Sequence, residues 1–245
     1  MDTEAEIVTK LRENRSFMIR QVRMSPHQKA AYEHLSTRYG IAFDESSIAD
    51  NFDWDIAFGR RGARRVVDIG FGMGQALVEL AVRNPDTDFL GVEVHKPGIG
   101  RVLGQLEERG IQNVRVVRYD AVVVCHRLIP KNSIDGLHLF FPDPWPKKRH
   151  HKRRLVRPGF PELIAPLLKP GGYFYAVTDW EEYAYVMLEV LDHTAGLVNS
   201  SGEGFSPSQE WRPETAFERK GRQKGHNIFE VLYHREVPQD SAYAP

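Results

Sequence analysis

Cysteine is almost absent from the 245 residues: Cys125 stands alone, inside the apolar run Ala121-Val122-Val123-Val124-Cys125. A lone thiol excludes an internal disulfide framework and points to a reducing compartment, and its apolar neighbours read as a small buried hydrophobe rather than a nucleophile. Long apolar runs are absent too. No stretch approaches the roughly 18 consecutive apolar residues that cross a bilayer. The acidic start Met1-Asp2-Thr3-Glu4 has neither the basic end nor the apolar run of a signal peptide, so a soluble, cytoplasmic chain without a membrane partner is expected. Charge of one sign is not in excess either, with 33 basic against 33 acidic residues, which excludes a histone-like polycation. Metal-ligand spacing is also lacking. Among His95, His150, His151 and His226, no two histidines sit with cysteine or acid at zinc spacing, and no metal is expected. Nothing chooses between a monomer and a homodimer.

What is present is an apolar content of 41%, enough for one sizeable core. Residues 1–26, with Arg12, Arg15, Arg20 and Arg23 among polar neighbours, read as a flexible N-terminal tail; residues 27–236 read as the folded domain and 237–245 as a C-terminal tail. Residues 27–38 have helical composition, whereas Ile41 to Phe58 shows no clear period. From Arg64 a regular alternation begins. Strands are predicted over 66–69, 89–94, 114–118, 134–141 and 173–178, with helices over 76–81, 99–109, 121–129, 160–168 and 180–193. Such alternation means right-handed crossovers and a doubly wound α/β fold with a mostly parallel sheet. Residues 228–234 read as a last strand, antiparallel at an edge, and 200–213 as a Ser-, Gly- and Pro-rich loop.

Gly70-Phe71-Gly72-Met73-Gly74 falls where the first strand turns into its helix, the place where glycines let a ligand approach the backbone. The spacing is closer than the G-x-G-x-x-G that seats a pyrophosphate on a helix N-terminus, so it favours a ligand without phosphates; a plain tight turn is the alternative. Three carboxylates follow at successive strand ends, Asp68, Glu93 and Asp120, converging on the crevice where open sheets bind ligands. A carboxylate at the second strand end can accept both hydroxyls of a ribose, and one near the first turn can meet an ammonium group. Adenosine with an amino-acid tail fits that set, although each acid taken alone could be a solvated strand end, and Asp120 a helix N-cap.

After the fourth strand, Pro142 and Pro144 flank Asp143 and present it on a stiff loop, and Trp145 offers a face for a base; the alternative is a rigid connector with a buried Trp. The loop runs into Lys147-Lys148-Arg149-His150-His151-Lys152-Arg153-Arg154, six full positive charges and two histidines with no acid among them. A stiff carboxylate beside charges suited to phosphates describes a nucleic-acid site next to a catalytic position.

These residues, with Gly91-Val92-Glu93-Val94-His95, Thr178-Asp179-Trp180, Thr215-Ala216-Phe217-Glu218 and Gly225-His226, resemble the bacterial tRNA (guanine-N7)-methyltransferases over roughly Val66 to His234. The resemblance implies a Rossmann-like class I methyltransferase fold with a seven-stranded sheet, S-adenosyl-L-methionine as methyl donor, and a guanine in the tRNA variable loop as acceptor. By position it implies Asp68, Gly70, Gly72, Glu93, Asp120 and Asp143 on the cofactor side, with Asp143 also catalytic. Lys147, Asp179, Thr215, Ala216, Phe217 and Glu218 are implied as substrate contacts, and Arg149, His150, His151, Lys152, Arg153 and Arg154 as contacts to RNA. One departure falls at Asp68, where the family more often carries glutamate; the shorter side chain allows a contact to the donor through water. Read without the resemblance, Asp179 could be the N-cap of the helix after it, and Glu218 is uninformative. Two other readings stay open: a methyltransferase of another RNA or of a small molecule, the small-molecule enzyme having no need of the basic run, and a non-catalytic RNA-binding Rossmann-like domain, which would have no need of the proline-clamped Asp143.

Overall fold

The structure is a computed structural model that describes residues 3–18, 23–44 and 52–238. Its β-branched runs become β1 (Arg64–Ile69), β2 (Thr87–Val92), β3 (Val114–Val117), β4 (Ile134–Phe140), β5 (Leu168–Thr178), β6 (Leu197–Asn199) and β7 (Phe229–Arg235). The connecting helices are α1 (Glu4–Glu13), α2 (Pro26–Tyr39), α3 (Trp54–Phe58), α4 (Gln75–Arg83), α5 (Lys96–Glu108), α6 (Ala121–Arg127), α7 (Phe160–Ile164), α8 (Glu181–Asp192) and α9 (Ala216–Gln223). The strands form one sheet in the order β3-β2-β1-β4-β5-β7-β6. The pairs among β1 to β5 are parallel, and β7 lies antiparallel between β5 and the short edge strand β6.

Because helices cover both faces, strand side chains of either parity are buried, as the unbroken burial of β2 shows. Val67, Ile69, Leu90, Val92, Leu137 and Leu139 pack with α1, α6, α7 and α8, while Val66, Phe89, Val114 and Val116 pack with α2, α4 and α5. Each such aliphatic side chain contributes about 1.5–3 kcal/mol on burial. The chain leaves β1 toward β2 on one side and is rejoined by β4 on the other. That switch point opens a crevice outside the carboxyl ends of β1 and β4.

The N-terminal segment differs from the expected tail. Residues 4–13 form α1, capped by a box in which the Thr3 hydroxyl accepts the Glu6 N–H and Glu6 accepts the Thr3 N–H. Val8 and Leu11, three apart on one face, enter the main core, which holds the helix down. Arg20 lies outside the described residues. Three short elements were not foreseen from sequence: α3, β6 and α9, the last with charge on four of its eight residues and little apolar periodicity.

Candidate active site

The glycine turn after β1 carries Gly70, Gly72 and Gly74 at φ of 70°, 56° and 73°, left-handed backbone that side-chained residues rarely adopt. A Cβ at Gly70 or Gly72 would meet nothing within 4 Å, whereas one at Gly98 of α5 would fall 1.9 Å from the Gly72 carbonyl oxygen. The turn is thus clamped by α5 behind it and open in front. The open side faces a cavity of about 540 Å³ whose walls include the turn, Glu93, Phe141, Asp143 and Phe217.

Asp68 lines this cavity at 2% exposure, and its Oδ2 has no hydrogen-bond partner. Burial, and then the charge of Glu93, push its carboxyl up to about 8. A buried carboxyl beside a cavity, with one oxygen unpartnered, offers a partner to an ammonium group. Glu93 is engaged on both oxygens: Oε2 accepts the Gly72 N–H at 2.8 Å, and Oε1 accepts those of Val94 at 2.6 Å and His95 at 3.0 Å. It therefore shapes the turn while keeping acceptor capacity, since a carboxylate offers about four lone-pair sites. Asp120 is the N-cap of α6, accepting the Val122 N–H at 2.9 Å, and burial raises its pKa. It lies on an adjoining cavity of about 640 Å³ with Arg12, Arg15 and Arg118; the two cavities meet at Phe17, Val94 and Tyr119.

Asp143 faces the first cavity from the loop after β4. Phe141 and Trp145, just outside the two prolines, both have positive φ, 52° and 47°. Two non-glycine residues in that region cost of order 1–3 kcal/mol each and persist only where the surroundings hold them. Trp145 is less open than a base-stacking face requires. Its Nε1–H donates to the Ser16 carbonyl at 3.1 Å and the Arg153 guanidinium lies 4.0 Å from its ring centroid. Arg153 also donates to the carbonyls of Arg15 and Phe17, so residues 15–17 are strapped along the cavity rim by this loop.

The basic run divides. Lys148 to Arg153 form a 3-10 helix on which Lys148, Arg149 and Lys152 are exposed, as is Lys147 before it. His150 and His151 are half-buried, His151 3.8 Å from Glu182. Arg154 is a correction to the sequence reading: at 2% exposure it faces inward, bonds both oxygens of Glu182 and the Pro144 carbonyl, and stacks on Tyr183. It holds the loop and cannot meet RNA phosphates.

On the far wall, Thr215 caps α9 by accepting the Glu218 N–H at 3.0 Å, and Ala216 and Phe217 line the cavity. Glu218 is the second correction. Its carboxylate is 3% exposed and bound by Arg212 and Arg222, so it anchors α9 instead of offering a free acid to substrate. Burial raises its pKa, but the arginines outweigh this and the net shift is downward. Arg212, which sequence reading missed, ties Glu218 to Glu230 of β7 and Tyr175 of β5. Asp179 is not the cap of α8, whose N-cap is Trp180; its Oδ2 instead lies 3.2 Å from His226 Nδ1 beside α9. Among the described residues no helix is long and apolar enough to cross a membrane, and no cluster of three His, Cys, Asp or Glu side chains could hold a metal.

A glycine turn and an orphaned acid at the switch point of this sheet define a class I methyltransferase. The model of a family described as "Putative methyltransferase" matches residues 63–231. The chain is 47% identical over 236 residues to the tRNA (guanine-N(7)-)-methyltransferase of Ralstonia nicotianae, covering 96% of this chain and 92% of that one. It is 46% identical to the enzyme of the same description from Alkalilimnicola ehrlichii, covering 97% and 100%. Among solved structures, the 16S rRNA (adenine(1408)-N(1))-methyltransferase of Catenulisporales acidiphilia shares the fold at a TM-score of 0.51 and 13% identity, over 82% of this chain and 95% of that one. The chain belongs to the tRNA (guanine-N7)-methyltransferase family.

Proposed function

We propose that the chain transfers a methyl group from S-adenosyl-L-methionine to N7 of a guanine in the variable loop of tRNA, in the cytoplasm. The observation that carries the reading is one cavity walled by the open glycine turn, the orphaned Asp68 and Asp143, with exposed Lys147, Lys148, Arg149 and Lys152 just beyond that loop. Asp68 would meet the donor's ammonium group and Glu93 its ribose hydroxyls, with Gly70 and Gly72 leaving room against the backbone and Asp120 at the edge of the groove. When bound, the donor supplies an electrophilic methyl group on a sulfonium.

The chain's own tasks follow from the acceptor. Guanine N7 carries an in-plane lone pair and no proton, so no general base is needed. The residues must hold N7 in line with the methyl group and offset the positive charge that appears on the base. Asp143, stiffened by Pro142 and Pro144, holds the base by its N–H edge and faces that charge as an anion. Lys147, Asp179 and the Thr215–Phe217 stretch bracket the substrate side, and the exposed cations take phosphates. Incubating the chain with tritiated donor and unmodified tRNA tests this. Label in a variable-loop guanine is expected, and label on another base or on a small molecule alone would refute it.

A further inference from the structure

The cavity of about 640 Å³ that adjoins the first lies between α1, α6 and the end of β3. Four arginines line it: Arg12 and Arg15 from the N-terminal segment, Arg118 just after β3, and Arg127 at the end of α6. All four are exposed. The side chains of Arg118 and Arg127 have no hydrogen-bond or ion-pair partner among the described residues. The same wall carries two carboxylates, Glu13 and Asp120, and Asp120 is already committed to the Val122 N–H as the cap of α6. His126, also on this wall, lies 3.0 Å from Glu4. Cations are thus in excess. Like charges gathered on one concave wall repel one another, and such a wall focuses their field outward, so an anion seated there offsets the repulsion.

The groove is continuous with both parts of the site. It opens into the first cavity at Phe17, Val94 and Tyr119. On its other flank the Arg15 carbonyl accepts from Arg153, so the segment that carries Arg12 and Arg15 abuts the 3-10 helix on which Lys148, Arg149 and Lys152 are exposed. Positive charge therefore runs from that helix, across residues 12–15, to Arg118 and Arg127. A single phosphate ion would engage one end of this band, whereas a polyanion spans it. A nucleotide drawn into a cavity leaves backbone on both sides of itself, and one short basic helix receives only part of that backbone.

We propose that the groove lined by Arg118 and Arg127 binds a stretch of RNA phosphodiester backbone separate from the stretch that meets Lys148, Arg149 and Lys152. The proposal rests on the reading of the chain as a tRNA methyltransferase, and it gives the RNA a second anchor across the N-terminal segment from the first.

The test is the salt dependence of tRNA binding by the complete chain. Arg118→Gln combined with Arg127→Gln should reduce the magnitude of the log–log salt slope by about 1.4–1.8, two phosphate contacts. Arg118→Lys combined with Arg127→Lys keeps the charges and should keep the wild-type slope. Adding Lys152→Gln to the glutamine pair should add its own loss, since distant sites without shared partners act independently. The melting temperature and the affinity for S-adenosylmethionine should match the wild type throughout. Ethylation interference then maps the contacts: the phosphates whose ethylation ceases to matter in the glutamine pair should differ from those that cease to matter in Lys152→Gln. An unchanged slope in the glutamine pair, one shared set of phosphates for both groups, or a loss confined to donor affinity would overturn the groove as an RNA site. A wild-type chain that methylates no tRNA would instead remove the reading beneath it, a distinguishable result.

Discussion

The two walls of the active cavity are built on different principles. The wall proposed for the donor follows the strand–turn–helix alternation: a strand, three glycines within five residues and acids at three successive strand ends, with Glu93 accepting three backbone N–H groups. The wall proposed for the substrate is long-range. Its loop is held by Arg154 reaching Glu182, and its helix by Arg212 joining Glu218, Glu230 and Tyr175 across the sheet. On the donor side Asp68 is left without a partner at Oδ2, whereas the buried charges of the opposite wall are spent on their own scaffold.

The largest expected consequence falls on that scaffold. Arg154→Ala removes two charge-assisted contacts to Glu182 and the bond to the Pro144 carbonyl, and should cost about 2–3 kcal/mol because one partner stays half-exposed. The melting temperature should fall by about 5–10 °C in differential scanning fluorimetry. An unchanged melting temperature would show that Arg154 does not hold the loop.

Asp143→Asn keeps shape and removes charge. A charge-assisted hydrogen bond is worth roughly 1.5–3 kcal/mol, so the single-turnover methylation rate should fall about tenfold to a few hundredfold with the fold intact. With donor and tRNA both saturating, the wild-type rate should stay nearly flat from about pH 6.5 to 8.5, since no proton leaves N7. A tenfold rise per pH unit would show that a base is at work.

Donor affinity should behave differently. With its pKa raised to about 8, Asp68 is mostly protonated at neutral pH in the donor-free chain and must ionise to pair with an ammonium group. Affinity measured by calorimetry should therefore strengthen from about pH 6 to 8, by up to tenfold per unit, with proton release on binding. Asp68→Asn should bind more weakly and without that slope. The stability sign is the reverse. The folded chain holds this proton more tightly than the unfolded one, so the residue's contribution declines as pH rises from about 4 to 8, and Asp68→Asn should stabilise the donor-free chain at pH 8. A flat wild-type affinity would place the ammonium elsewhere.

The smallest effect separates surface charge from scaffold charge. Lys152→Gln should leave the melting temperature alone and reduce the log–log salt slope of tRNA binding by about 0.7–0.9, one phosphate contact. A shifted melting temperature with an unchanged slope would invert the division of the basic run.

That division also explains what could be read in the chain before its structure. The parallel sheet and the glycine turn were legible because their signals are periodic or lie within a few residues of one another, and the acids because each sits at the end of a strand that the periodicity marks. Arg154 and Glu218 misled because burial is decided by Glu182 and Arg212, partners that spacing does not identify. The helix over Glu4–Glu13 did carry a local signal, Thr3 and Glu6 as a capping box before Ile7, Val8 and Leu11, and it was masked by the surrounding arginines. Strand β6 has only three residues, too few for any period to show.

The most direct test joins the two walls in one product. The chain is incubated with donor and unmodified tRNA transcript, the RNA is reduced with borohydride and cleaved with aniline, which breaks the strand at N7-methylguanine, and the fragment is mapped. One new cut in the variable loop, made by the wild type and lost with Asp143→Asn, is the expected result. Methylation without such a cut, or an equal cut by the Asn variant, would contradict the site as described.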